Sequence, residues 1–253
     1  MYFFKDIETI LLLSKIDYRL RYHENQLGVF WALLRPIIEV LVYFFAFKFV
    51  LHNTAPNFLV FLFLGQVSWL FFVELGQGMI NLLETKRFLY EYSQLSKVHI
   101  YLAYLLTILR GFGLNLSLVF LLALLHGIEF SWHLLWLPLV LGIYLLFFLG
   151  LGVLLSILYL FLRDVTQLWS IGVFGLYWLT PIILPSSAYL EKAPWLVWIN
   201  PLFGFIENMR FIILRQSAPD FVWLLAHGLI GGLFLLLALW ALKVWGPKAS
   251  ELL

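Results

Sequence analysis

The 253-residue chain is 63% apolar and only 12% charged, with 25 Phe, 12 Tyr and 11 Trp. A soluble domain of this size needs more charge to cover its surface, a disordered chain holds fewer apolar residues, and a net charge of +2 provides no basic face for nucleic acid. The absence of cysteine removes disulfides, thiolate chemistry and Cys-ligated metal sites, which leaves an integral membrane protein.

The start, Met1 to Glu8, carries Asp6 and Glu8 and no basic region ahead of a clean apolar run, so it does not read as a cleaved signal peptide. Residues 1–29 are too polar to span. Ile7, Ile10, Leu11, Ser14 and Tyr18 share a helical face opposite Asp6, Lys15 and Arg19, which predicts an amphipathic helix on the inner membrane surface; a plain cytoplasmic leader is the alternative.

A hydrocarbon core of about 30 Å needs roughly 20 helical residues. Six apolar runs meet that length: 30–51, 58–82, 99–125, 134–161, 166–184 and 222–242. They take over half of the chain and leave no room for a second soluble domain. They are continuously apolar, not alternating, which excludes a β-barrel. With the N-terminus inside, ten Lys and Arg fall in cytoplasmic segments and three (Lys192, Arg210 and Arg215) in outer ones, placing both termini in the cytoplasm.

Between the second and third spans, Glu84 to Val98 mixes Lys86, Arg87, Glu91 and Lys97 with Phe88, Leu89, Tyr90, Tyr92 and Leu95. This composition suits a short helix that docks on a soluble partner, or a juxtamembrane loop whose lysines enforce topology. Between the fifth and sixth spans, Tyr189 to Ile199 and Phe203 to Leu214 are apolar, too short to cross, and separated by Asn200-Pro201. A re-entrant hairpin and a folded outer cap both satisfy that pattern. The predicted fold is therefore an all-α integral membrane protein, a single transmembrane domain over 1–253. It divides into an interface helix (1–29), spans one to five (30–184), an outer hairpin (185–221), and span six with a cytoplasmic tail (222–253).

Charges inside a membrane are costly and usually paired. Glu39, Glu74 and Arg110 each lie about 12 to 16 Å from the inner ends of their spans at 1.5 Å per residue. Arg110 is expected to pair with Glu39 or Glu74 and pin the first three spans, whereas Arg35 and Lys48 lie near enough to the boundaries to snorkel. Aromatic residues are dense within spans, and flat rings let a glycan slide without being held tightly, much as stacking tolerates different bases. Tyr43, Phe44, Phe47, Trp69, Phe72, Phe174, Tyr177 and Trp178 are the candidate substrate path, against the plainer reading of lipid-facing or core aromatics.

No GxxxxGK[ST] phosphate loop, catalytic set or broken inverted repeat occurs, and the six histidines are scattered with no HExxH-like pair. The chain is thus expected to be no enzyme by itself, to hold no metal or cofactor, and to be driven by a partner.

Arg21, Tyr22, Leu27, Gly28, Trp31 and Pro36 occur in that order before and into the first span. Arg163-Asp164 follows the fourth span, Thr180-Pro181-Ile182 ends the fifth, and Asn200-Pro201 precedes Glu207 and Arg210. In order and spacing these resemble the membrane subunits of polysaccharide-exporting ABC transporters. The resemblance implies a homodimer of six-span subunits in a bacterial inner membrane, docked on two copies of a cytoplasmic subunit that binds ATP and Mg. The complex would export a lipid-linked glycan such as an O-antigen, a capsule chain or a teichoic acid. It also implies coupling through Arg19, Arg21, Lys86, Arg87, Phe88, Tyr90, Glu91 and Tyr92, an outer gate at 185–220, and a transport role for Arg163; a boundary charge pair with Asp164 is the plainer reading. Two departures stand out: Ser96-Lys97-Val98-His99-Ile100 lacks the family's Phe-Pro, and Arg35 and Glu39 replace neutral residues. A drug or small-lipid exporter of the same family is the competing function.

Overall fold

The computed structural model describes residues 2–23, 28, 30–50, 52, 56–93 and 95–252. Within the first motif, residues 24–27, including Leu27, and residue 29 lie outside that set, as does the Tyr22 side chain. Among the described residues the fold is entirely helical.

Helix α1 (Tyr2–His23) is followed by α2 (Phe30–Phe45), which ends in a π turn over Ala46–Val50. Then come α3 (Phe58–Ile80), the short α4 (Leu82–Thr85) and α5 (Arg87–Tyr92), and the long α6 (Lys97–Leu125). A 3₁₀ turn over Trp132–Trp136 leads into α7 (Leu137–Phe161), followed by α8 (Val165–Trp178), α9 (Ser186–Leu190), α10 (Leu196–Ile199) and α11 (Pro201–Ile213). Helix α12 (Phe221–Trp245), a 3₁₀ turn and α13 (Ala249–Leu252) complete the chain.

Five helical stretches among the described residues are long and apolar enough to cross a membrane: Phe30–Val50, Phe58–Ile80, Lys97–Leu125, Trp132–Phe161 and Phe221–Lys248. The expected fifth span differs. Its helix, α8, has 14 residues, about 21 Å of rise, and stops before a non-helical stretch from Leu179 to Leu184. Pro181 disfavours helix at the preceding residue, and the carbonyls of Pro181 and Ile182 are taken by the Arg210 guanidinium from α11. Such a distant capture leaves no trace in local hydropathy.

Helix α3 is apolar all round because it is surrounded; its neighbours are α2, α6, α7, α8 and α11. Helix α11 is almost wholly buried, with Phe205 against Tyr144 and Phe148 of α7 and Phe112 of α6. Several buried polar groups there are paired across helices. The His227 Nδ1 lies 2.9 Å from the Tyr144 hydroxyl, its Nε2 2.8 Å from the Val197 carbonyl, and the Asn208 amide donates to Tyr144 at 3.2 Å. This network ties α7, α10, α11 and α12 together, each partner removing the cost of another's burial.

Helices α7 and α12 pack most closely. A Cβ on Gly150 would come within 2.6 Å of the Leu235 backbone nitrogen, and one on Gly231 within 2.9 Å of the Phe147 nitrogen. Small residues let helix backbones approach in a membrane. Gly150→Ala is expected to lower the melting midpoint in detergent by several degrees, since overpacking costs about 1–3 kcal/mol. Gly142→Ala, on the same helix with open space beside it, is the matched control and should change stability by no more than about 0.5 kcal/mol.

Helix α1 runs parallel to the first part of α6. Asp6 lies 3.8 Å from His99, and the Thr107 hydroxyl reaches the Ser14 carbonyl at 3.3 Å, the same sequence offset at both contacts. Of the face read from sequence, Ser14 is buried and Ile10 and Tyr18 are half-buried, while Ile7 and Leu11 are exposed together with Leu12, Ile16 and Leu20. The helix thus has one apolar side on α6 and another left uncovered.

Candidate substrate groove and cytoplasmic coupling face

The intramembrane charges do not pair as expected. Glu39 is held within its own helix by Arg35, four residues earlier, at 3.0 Å, and also accepts from the Gln66 amide of α3 at 2.7 Å. Glu74 pairs with Arg21 of α1 at 2.8 Å. Arg110 makes no ion pair among the described residues and acts electrostatically on Tyr18 of α1. The nearer partner wins in each case: Arg35 is one helical turn from Glu39, and α1 brings Arg21 alongside α3.

From Glu39 the polar chain continues, because the Tyr177 hydroxyl of α8 donates to the Gln66 carbonyl oxygen at 3.2 Å. Arg35, Glu39, Gln66 and Tyr177 form the floor of an open groove of about 430 Å³ between α2, α3 and α8. Aromatic rings flank this floor. Trp69 meets Tyr177 edge-on at 5.3 Å, Tyr43 lies 6.2 Å from Tyr177, and Phe174 and Trp178 are 72% and 59% exposed along the rim.

Five of the eight candidate path residues therefore come together: Tyr43, Trp69, Phe174, Tyr177 and Trp178. The other three lie elsewhere. Phe44 and Phe47 pack on Phe58 with centroids 6.3 and 6.1 Å away. Phe72 is buried against Phe148 and Trp169, beside a separate apolar cavity between α7 and α8. Rings alone could not separate these sets. The polar residues Arg35, Glu39, Gln66 and Ser170 are the signal that sequence reading did not use for the path, although the two charged ones were flagged as departures from neutral residues.

At the α11 end of the fold, Glu207 and Arg210 are fully buried and joined at 2.9 Å. The guanidinium also donates to the carbonyls of Pro181, Ile182 and Phe61, and stacks on the Phe61 ring at 3.4 Å. Glu207 further accepts from Ser186 at 2.9 Å and Arg215 at 3.1 Å. Gly65 makes room for this: a Cβ there would lie 2.7 Å from Arg210 Nη2. Asn200 caps α11 by accepting from the Leu202 amide, and Pro201 supplies the first helical position, where its missing N–H costs nothing. The Asn200 amide also donates to the Thr180 hydroxyl and the Leu179 carbonyl. The late motif residues thus converge on the non-helical stretch after α8.

At the opposite end, Lys86 pairs with Asp17 at 2.5 Å and Arg87 with Glu91 at 2.7 Å. The Glu91 carboxylate, as hydrogen-bond partner, raises the pKa of Arg87, and burial raises that of the Tyr90 hydroxyl. Phe88 and Tyr92 project outward, 68% and 76% exposed, with ring centroids 5.2 Å apart. Arg19 is exposed and makes no ion pair among the described residues. Arg163 pairs not with its neighbour Asp164 but with Glu84 of α4 at 3.0 Å, and Tyr159 donates to the same carboxylate at 2.7 Å. Tyr159 first and Glu84 second raise the Arg163 pKa. Asp164 sits at the start of α8 without a side-chain cap bond. The turn between α7 and α8 is thereby tied to the α4–α5 segment.

Residues 8–214 match the family model of the ABC-2 type transporter. The chain belongs to the ABC-2 type transporter family. Such a protein is the membrane domain of a transporter that works with an ATPase. The expectation drawn from the motifs agrees with this match. This ABC-2 chain is 24% identical over 211 residues to the O-antigen export system permease protein RfbA of Klebsiella pneumoniae, covering 83% of this chain and 82% of that one. It is 27% identical over 214 residues to the protein of the same name from Myxococcus xanthus, with 83% and 82% covered. To the polysialic acid transport protein KpsM of Escherichia coli it is 24% identical over 211 residues, 81% of each.

Proposed function

We propose that this ABC-2 chain is the membrane subunit of a polysaccharide exporter, in which two copies pair and each docks on a cytoplasmic ATP-binding subunit that holds the ATP and Mg. The cargo is a lipid-linked glycan. The carrying observation is the groove: a hydrogen-bonding floor between stacking rings suits the two kinds of surface on a sugar, its hydroxyl edges and its C–H faces. The saccharide names of the relatives support the same reading over a drug or small-lipid exporter.

Helix α2 with its π turn leaves Ile38, Leu41, Val42, Phe45 and Phe49 exposed, and α8 leaves Leu168 and Ile171 exposed. Those are the faces a second copy covers, so that two half-grooves meet. The sixth crossing is α8 with Leu179–Leu184, and α9 to α11 form the re-entrant outer hairpin; the burial of α11 among α3, α6 and α7 supports this. Both termini are cytoplasmic. The exposed Phe88 and Tyr92 enter a cleft of the ATP-binding subunit, and the Glu84–Arg163 contact passes the movement to α8, whose displacement opens the groove.

Purification of the tagged chain from its native membrane in mild detergent, followed by native mass spectrometry, tests the assembly. The expected species has two copies of this chain and two of a nucleotide-binding subunit. A lone oligomer under several mild conditions would sink the coupling.

A further inference from the structure

Helix α6 begins and α12 ends side by side, and a cavity of about 320 Å³ lies between them. Its walls are Val98, Leu239, Leu242 and Pro247, and two of its lining residues are Lys97 and Lys243. The Lys97 stem passes beside Gly246, 3.7 Å from where a Cβ would stand, which is ordinary contact distance. The Lys97 ammonium is over the Tyr90 ring at 4.2 Å.

Neither lysine makes an ion pair among the described residues. The acid whose charge acts on Lys97 is Glu91, and Arg87 holds that carboxylate at 2.7 Å. Lys86, Arg21 and Arg163 at this end each have a carboxylate within 3.0 Å; Lys15, Arg19 and Lys248 make no ion pair among the described residues either, but they do not line this cavity. The groove therefore carries two uncompensated positive charges on apolar walls.

Its depth indicates what neutralises them. Lys243 is 22 residues beyond Phe221, about 33 Å along α12 at 1.5 Å per residue, or just past a hydrocarbon core of about 30 Å. Trp240 and Trp245, with centroids 5.1 Å apart, mark the same level, where indole rings settle among headgroups. Leu239, one turn further into the apolar stretch of α12, is 45% exposed.

We propose that this groove is a binding site for an anionic phospholipid of the inner leaflet. Its phosphate sits between the ammonium groups of Lys97 and Lys243, and an acyl chain runs along Leu239. Basic pockets between membrane helices on the cytoplasmic side favour such headgroups. The site rests on the proposed orientation of the chain but not on the glycan or on transport, so a lipid-binding readout separates its failure from theirs.

The test is native mass spectrometry of the purified complex with added dioleoylphosphatidylglycerol or dioleoylphosphatidylcholine. The wild type is expected to retain phosphatidylglycerol preferentially. Lys97→Gln with Lys243→Gln should lower that retention by about fivefold for each lysine, while Lys97→Arg with Lys243→Arg keeps it. Equal retention of the two lipids by the wild type overturns the proposal, as does a change below twofold in the Gln variant. Displacement of phosphatidylglycerol by millimolar inorganic phosphate with no loss in the Gln variant does so too. Should the Gln variant fail to fold, the wild-type preference and the Arg variant still decide.

Discussion

Arg210→Met should reduce folded yield sharply and lower the apparent melting midpoint in detergent by roughly 10 °C, from about 3–5 kcal/mol lost when one partner of a buried ion pair is removed. The substitution strips Glu207 of its closest cation, frees the carbonyls of Phe61, Pro181 and Ile182, and empties the space that Gly65 leaves open. Ser186 and Arg215 still reach Glu207, so its charge keeps two of its contacts. Adding Glu207→Gln is expected to recover part of the loss, because the carboxylate then no longer sits buried without its partner. A melting midpoint within about 2 °C of wild type for Arg210→Met would show that α11 and the stretch after α8 are held by apolar packing alone.

The larger functional effect is expected in the groove. Phe174→Ala and Trp178→Ala remove exposed rings that touch little else, so the fold should hold to within about 0.5 kcal/mol. By analogy with base stacking, worth about 1–3 kcal/mol per ring, glycan export should fall at least fivefold for each. Surface glycan quantified in cells carrying each variant, alongside the oligomer mass of the purified protein, gives the result. Reduced export with the oligomer intact supports stacking on the cargo. Loss of the oligomer would instead place these rings in the contact between copies, and unchanged export would remove them from both roles.

Much of the architecture was legible because membrane helices declare themselves by length. The runs around α3, α6, α7 and α12 differ from the observed helices by a few residues at most ends. The run at 166–184 overstated a helix, since its second part is pulled out of register by Pro181 and by a guanidinium 29 residues away. The ion pairs were least legible. Glu74 could be matched to Arg110 by depth, but its actual partner is Arg21 on α1, which packs along α6 and so reaches α3. Trp69 and Phe72 show the same limit for the groove. They are three positions apart on one helix; Trp69 reaches the groove and Phe72 lines the apolar cavity, and only the positions of α7 and α8 decide which. The 84–98 segment was expected to hold a short helix or a juxtamembrane loop, and α5 lies there, while the Glu84–Arg163 contact needed the folded chain.

The groove is a trough with walls on α2, α3 and α8 and an open side. Among the described residues, this groove by itself encloses no conduit. Under the proposed pairing, overproduction of the chain without its partners should not depolarise the membrane, which a potential-sensitive dye would report.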